Sequence, residues 1–277
     1  VRAAVHINNL AHQKQHAAWM RNGLRRHGVD VVYAVWGVPA AADLVVIWGW
    51  KQPAVIAAAK RRGTPILVME RAHLPPRMEW TSCGLNGLGN RGRYAACKDG
   101  GARWRQHFQH LEREWTRRDG YVLLCGQVLG DAALWGVDFR AWAQEVADKL
   151  RASGRMVVYR PHPFAFHKQG DAWCPTGAQF SRADTLGDDL AGAALAVTYN
   201  STAGVEAVLA GVPTVTSDVG AMAWEVTSHD LGADPVRPDR TEWAHRLAWT
   251  SWRAAEIESG ETWEHLRHGL PACATAA

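Results

Sequence analysis

Two short elements in this chain of 277 residues combine residue types that can hold a phosphate. Tyr159-Arg160-Pro161-His162-Pro163 follows Met156-Val157-Val158, and Asn200-Ser201-Thr202-Ala203-Gly204 follows Leu195-Ala196-Val197-Thr198. Both preceding runs read as strands. In an open parallel α/β sheet, ligands bind beyond the carboxyl ends of strands, where loops turn into helix N-termini. The second element runs on through Val205-Glu206-Ala207-Val208-Leu209-Ala210, a good helix former, and stops at Gly211-Val212-Pro213. A helix that opens on Ser201, Thr202 and Gly204 offers backbone N–H groups, hydroxyls and a positive dipole end to an anion. Adding Arg160, the His162 imidazole and Asn200 gives a site suited to a phosphate or diphosphate, so the expected ligand is a nucleotide-linked small molecule. Structural readings compete: His162 as a core histidine bonded to backbone, and Ser201-Thr202 as an ordinary N-cap.

The elements that must position these groups alternate from end to end, the pattern of a parallel α/β protein. Val5–Ile7, Val31–Val35, Leu44–Trp48 and Ile66–Met69 read as strands, with helices over Gln13–His27 and Gln52–Arg62. The stretch from Arg71 to Gly101 is rich in Gly, Pro, Asn and Arg and lacks periodicity, and long loops of this kind are usually functional. A helix is expected through Trp104–Trp115, then strands at Tyr121–Leu124, Met156–Tyr159 and Thr214–Thr216. Further helices are expected at Phe139–Ser153, Thr241–Trp252 and Glu261–His268, and Pro271–Ala277 reads as a loose tail. The expected architecture is α/β, with two Rossmann-like domains facing across a cleft. Their expected spans are residues 1–118, binding the acceptor, and 119–277, binding the nucleotide sugar and carrying the terminal helices.

Composition narrows the classes. With 47% apolar residues the chain can bury a substantial core, and no apolar run reaches the roughly 18–20 residues that span a bilayer. The first residues read as a strand and not as a signal peptide, which makes a cytoplasmic location the expectation. Five cysteines form no C-x-x-C pair, and the thirteen histidines lack the carboxylate or cysteine companions of a familiar zinc site. No metal and no bound cofactor are expected. The net charge of +4 names no partner, but eight of the Lys/Arg residues lie between Arg91 and Arg118 against three acids, interleaved with Tyr94, Trp104, Phe108 and Trp115. Such a stretch can track a phosphate backbone. The alternative is a solvated helix face with snorkelling arginines.

Gly126-Gln127, Asp131, the Arg160–Pro163 element and the Asn200–Pro213 element, in this order, resemble the glycosyltransferases of the GT-B fold. The nearest pattern is that of the capsule-polysaccharide, Kdo-transferase-like enzymes, with the bacterial sialyltransferases more distant. The resemblance implies that His162, Ser201 and Thr202 hold the donor nucleotide and its phosphate, with Arg160 beside them and Glu206 on a ribose hydroxyl. Gln127 is expected in the same cleft. Glu70-Arg71-x-x-x-Pro75-Pro76-Arg77, followed by Gly84-Leu85-Asn86-Gly87, looks like the loop these enzymes carry on the acceptor side. Acceptor contacts are accordingly expected from Arg77, Asn86, Arg91, Arg93 and Arg103.

Sugar transfer requires an acceptor hydroxyl made nucleophilic and a leaving phosphate whose charge is stabilised. Glu70 is the expected general base, because it ends a strand and opens the acceptor-side loop, with His73 and Asp119 in reserve. A salt bridge from Glu70 to Arg71 or Arg77 is the bland reading. The expected activity is metal-independent transfer from a nucleotide sugar, a UDP-sugar foremost, to a hydroxyl. The favoured acceptor is a hydroxymethylated pyrimidine in phage DNA, reached by taking the base out of the stack, and a phage-encoded protein would then act in the host cytoplasm. The alternatives are a capsule or surface-polysaccharide transferase using a CMP- or UDP-sugar, a nucleotide-sugar epimerase, and a non-catalytic nucleic-acid-binding module. The oligomeric state stays open.

Overall fold

A computed structural model describes residues 1–268, so the expected tail at Pro271–Ala277 lies outside the described residues. The chain divides into two compact units. The first comprises Val1–Gln106 together with the chain from Ala244 onward, and the second comprises His107–Trp243.

The first unit opens with β1 (Arg2–His6), α1 (Ala11–Arg26), β2 (Asp30–Ala34), β3 (Leu44–Trp48), α2 (Pro53–Arg62) and β4 (Ile66–Arg71). Proline at the first turn and Gly63 in the left-handed region (φ +68°) delimit α2, the usual asymmetry of helix ends. Strands β1 to β4 are mutually parallel in the order β4-β3-β1-β2. Their near-continuous apolar runs are explained by burial on both faces. Ala17, Met20 and Leu24 of α1 pack with Val46, Leu67 and Met69 on one face, while Val55, Ile56 and Ala59 of α2 pack with Val45, Ile47 and Val68 on the other.

The loop expected after Arg71 contains a further strand, β5 (Thr81–Leu85), antiparallel to β4. Its Thr-Ser-Cys-Gly-Leu sequence carries one β-branched residue, and Gly84 is needed where the Tyr94 ring presses on the strand. The helix expected over Trp104–Trp115 is shorter. Helix α3 (Ala102–His107) stops before the buried Phe108, and the chain continues through a single 3₁₀ turn at Gln109–Leu111.

In the second unit run β6 (Tyr121–Cys125), α4 (Phe139–Ala152), β7 (Val157–Arg160), α5 (Pro163–Gln169), β8 (Gln179–Phe180), α6 (Leu186–Gly192), β9 (Ala193–Thr198), α7 (Ala203–Leu209) and β10 (Thr214–Thr216). The sheet is wholly parallel, in the order β10-β9-β6-β7-β8. Successive residues of β6 alternate between two cores: Val122 and Leu124 face α4, whereas Leu123 and Cys125 face the α6 and α7 side. The chain builds outward from β6 to β8, then returns to the other side of β6 with β9. That reversal makes the gap between β6 and β9 the topological switch point.

Beyond Thr241–Ala248 (α8) the chain forms β11 (Ser251–Trp252), α9 (Ala254–Ser259) and α10 (Glu261–Arg267). These belong to the first unit, which corrects the expected division at residue 118/119 with the terminal helices in the second domain. The physical reasons are specific. Strand β11 pairs with β5. A Cβ at Gly23 of α1 would run into the Ile257 carbonyl, so only glycine admits α9 there. Asn22 Nδ2 then donates to Glu258 Oε1 (2.7 Å) and Arg26 Nε to the Glu258 carbonyl (3.1 Å).

Candidate functional site

At the carboxyl edge of the second sheet, three strand ends converge on one hydrogen-bonded cluster. Gln127, just past β6, and Asn200, just past β9, clasp each other across the switch point: Gln127 Nε2 donates to Asn200 Oδ1 (2.8 Å), and Asn200 N donates to Gln127 Oε1 (3.0 Å). Asn200 Nδ2 donates in addition to the Ala133 carbonyl and to Asp218 Oδ1, both at 2.9 Å. Asp218 lies two residues past β10, and its Oδ1 also accepts from Gly220 N (2.9 Å). A fully engaged amide of this kind fixes the backbone that follows it. Gly204, one step further, packs on Thr198, where an added Cβ would sit 3.0 Å from Cγ2.

The two hydroxyls at the start of α7 differ. Ser201 Oγ accepts from Ala203 N (3.2 Å) and so behaves as a local cap, as the bland reading holds. Thr202 is half-buried and makes no side-chain capping bond. Glu206 stands in the first turn of α7.

His162 caps α5: its Nδ1 accepts from Phe164 N at 3.1 Å. The bond fixes the neutral tautomer, because an accepting Nδ1 leaves the proton on Nε2. His162 is half-buried at the strand end and is not a core histidine. Gly126 allows the loop this close, since a Cβ there would lie 2.7 Å from Tyr159 Oη and 3.0 Å from the Arg160 carbonyl.

Arg160 does not join this set. Its guanidinium donates to Asp189 Oδ2 (2.6 Å) and to the carbonyls of Ala183 (3.1 Å) and Asp184 (3.2 Å). Asp189 is buried and bound as well by Ser181. Arg160 is thereby a strut that ties β7 to the segment after β8, and it also lines the cavity beside that segment. Between that segment and α5 lies a cavity of ≈ 260 Å³, lined by Pro161, Phe166, Phe180, Ser181 and Arg182 among others. The Phe166 and Phe180 rings are tilted at 5.4 Å, forming an apolar wall beside the exposed Arg182. Sequence reasoning missed Asp218, Phe166, Phe180 and Arg182. The strand-end rule that found His162, applied to β8 and β10, would have reached all but Phe166.

In the first unit, Glu70 is half-buried at the carboxyl end of β4. Its Oε1 lies 3.8 Å from His73 Nε2, and the Tyr94 hydroxyl lies 3.5 Å from that same nitrogen while donating to the Gly89 carbonyl (3.0 Å). His73 is buried, with no partner on Nδ1. Burial, helped by the nearby Arg77 cation, drops its pKa to about 3. His73 is therefore neutral under ordinary conditions and flanks Glu70 as a positioning group. Burial and the Glu70 charge together push the Tyr94 hydroxyl well above its usual range. Arg77 Nε donates to the Ala72 carbonyl (2.7 Å), and Arg91 is exposed on the turn whose Gly89 carbonyl holds Tyr94.

Four expected site residues stand elsewhere. Asp119 is exposed at the amino end of β6, opposite the ligand-binding edge. Asn86 takes a left-handed conformation (φ +64°), and its Oδ1 accepts from Ile66 N (2.8 Å). Because β5 is antiparallel, that places Asn86 at the amino edge of the sheet, as it does the backbone of Arg93, which pairs with Leu85. Arg103 is buried. It is bound to Glu256 (2.5 and 2.9 Å) and to the carbonyls of Ala248 and Ser251, with Trp80, Trp249 and Trp252 rings 4.8–5.6 Å from its guanidinium. It holds the returning chain in the first unit and is not available to a ligand.

No known protein family matches this sequence, and no curated protein is measurably similar to it. Solved structures are similar in fold. The KpsC beta Kdo 2,4 transferase of Thermosulfurimonas dismutans is 16% identical with a TM-score of 0.59, over 90% of this chain and 89% of its own. The KpsC beta Kdo 2,7 transferase of the same organism is 12% identical with a TM-score of 0.53, over 94% and 97% respectively. With two Rossmann-like units of the topology described, the chain has the fold of the GT-B glycosyltransferases.

Proposed function

We propose that this protein is a glycosyltransferase that moves a sugar from a nucleotide sugar to an acceptor hydroxyl. The observation that carries the reading is the Gln127–Asn200–Asp218 cluster. It rigidifies the switch point so that Thr202 offers its hydroxyl and its N–H to a phosphate, while the N–H groups of Ser201, Ala203, Gly204 and Val205 are engaged within the protein. His162 adds an N–H on Nε2. As the bond from the anomeric carbon to the phosphate oxygen breaks, the charge arriving on that oxygen is met by these donors. The reading therefore needs no metal ion. Glu206 binds a ribose hydroxyl, and the Phe166–Phe180 cavity accepts the base by stacking. On the first unit, Glu70 is the base we assign to the proton of the acceptor hydroxyl, with His73 and Tyr94 orienting the carboxylate.

Two acceptor classes follow from different observations. The exposed Arg91, Arg93, Lys98 and Arg105 favour DNA bearing hydroxymethylated pyrimidines. The likeness in fold to two Kdo transferases favours a surface glycan. Burial of Arg103, and division of the basic stretch between the two units at His107, weaken the first argument. We place the glycan ahead of DNA, and a UDP- or CMP-sugar as the donor. Among the described residues no helix is long and apolar enough to cross a membrane; a cytoplasmic site of action belongs to the same proposal.

The test is incubation with a pool of UDP-, GDP- and CMP-sugars and either acidic oligosaccharides or DNA containing 5-hydroxymethylcytosine, read by mass spectrometry. A sugar-sized gain on one acceptor, lost in His162→Ala, is the expected result. Donor isomerisation without any acceptor would replace transfer with epimerisation. Release of nucleotide unaffected by His162→Ala would remove the donor-site assignment.

A further inference from the structure

The carboxyl edge of the first sheet holds a second group of side chains, separate from Glu70, His73 and Tyr94. Trp48 ends β3 in register with Met69 of β4. Side chains alternate along a strand, so Arg71 leaves the same face as Met69 and Glu70 leaves the other. The Met69 face is the one covered by α1. His12 and His16, one turn apart in α1, both set their rings edge-on to Trp48, at 5.3 and 4.7 Å between centroids, and His16 also meets Trp19 at 4.8 Å. Nδ1 of His16 donates to the His12 carbonyl (2.6 Å), which fixes that ring.

The charge in this group is one-sided. Both imidazoles are held below their ordinary range, first by burial and also by the Arg71 cation, which places the guanidinium within electrostatic reach of the two rings. The first turn of α1 contains no acidic residue. Among the described residues no carboxylate pairs with Arg71, which is half-buried. An arginine without a carboxylate partner, partly withdrawn from water on the sheet face that carries Trp48, is complementary to an anion. Its planar fork suits carboxylate and phosphate alike.

We propose that Arg71, with His12 beside it and Trp48 as the wall, is a recognition site for an anionic group, carboxylate or phosphate, on the acceptor sugar. The word acceptor rests on the glycosyl-transfer reading above; the anion site itself stands on the first unit alone. Arg71 and Glu70 both close β4 at the carboxyl edge of the sheet but leave opposite faces, so an anion held at Arg71 lies on the α1 side. The site selects acidic acceptors, and the surface of Trp48 gives the sugar ring an apolar face to lie on.

The test is a titration of the full chain, without any donor, with glucuronic acid, glucose 6-phosphate and methyl glucoside. Histidine-ring ¹³C–¹H signals report binding, with His12 assigned by His12→Asn. An anionic sugar should move the His12 and His16 signals and bind at least about tenfold more tightly than methyl glucoside. Arg71→Gln should remove that advantage, and Arg71→Lys should keep part of it. Preference for glucuronic acid or for glucose 6-phosphate names the carboxylate or the phosphate as the recognised group. Equal binding of the neutral glucoside, or full anion affinity in a folded Arg71→Gln, would overturn the proposal. His162→Ala should leave the titration unchanged while abolishing transfer. Failure of the anion site and failure of the transferase reading are therefore read in separate experiments.

Discussion

Replacing Arg103 with methionine should destabilise the first unit by about 3–5 kcal/mol, the cost of removing one partner from a buried ion pair. The side chains of Arg103 and Glu256 are only 8% and 18% exposed, so water screens the pair little. The substitution strips the Glu256 carboxylate of two charge-assisted bonds and leaves the carbonyls of Ala248 and Ser251 without their donor. Methionine has the length to refill the space between the three tryptophan rings, and its thioether tolerates aromatic neighbours, so the loss is electrostatic more than steric. Urea unfolding followed by tryptophan fluorescence measures it, since Trp80, Trp249 and Trp252 surround the site. Glu256→Gln and the double substitution close a cycle. The double variant should be more stable than the sum of the single losses implies, because no buried charge is then left unpaired. A loss below about 1 kcal/mol, the range of exposed pairs, would refute the burial argument. So would a raised acceptor KM at unchanged stability, which is the behaviour of a ligand-contacting arginine.

Four further substitutions separate support from chemistry. Ser201→Ala should cost about 1 kcal/mol of stability through the lost cap on Ala203 N, whereas Thr202→Ala should leave thermal stability unchanged and weaken donor binding; a thermal-shift and donor-KM comparison decides. Gly126→Ala forces a Cβ against Tyr159 Oη and the Arg160 carbonyl, displacing the loop that carries His162. It should raise the donor KM by at least about tenfold, and a change confined to the acceptor KM would contradict this. For His73, the folded pKa of about 3 lies below the ordinary 6.5. As pH falls through 6.5 the unfolded chain takes up a proton that the folded chain refuses, so stability is lost between pH 6.5 and pH 3 at up to about 1.4 kcal/mol per pH unit. His73→Gln should make the decline between pH 7 and pH 5 shallower by about 2 kcal/mol, and unfolding curves with superimposable slopes would refute the neutral, buried assignment.

What the sequence disclosed, and what it hid, follows the distance over which each side chain is satisfied. His162 and Ser201 are legible because their partners are near in the chain: Phe164 N for one, Ala203 N for the other. Strand-like runs and glycine stops therefore placed them at the right edge of the right sheet. Asp119 stands just before a strand's beginning, where the sheet offers no ligand-binding edge. Asn86 and β5 were hidden because an antiparallel strand with one β-branched residue carries little periodic signal, and its pairing partner, not its composition, decides which edge it reaches. Arg103 is the limiting case. Its sequence neighbourhood is basic and aromatic, the pattern of a nucleic-acid surface, yet its counter-ion is Glu256 and two of its three tryptophans lie beyond residue 248. A charged residue read from local sequence shows its charge and not its partner. Arg71, Arg103 and Arg160 are alike in sequence as strand-end or basic-stretch arginines. Of the three, only Arg71 reaches the folded state without a carboxylate among the described residues, and on that ground it is the one assigned here to an acceptor anion.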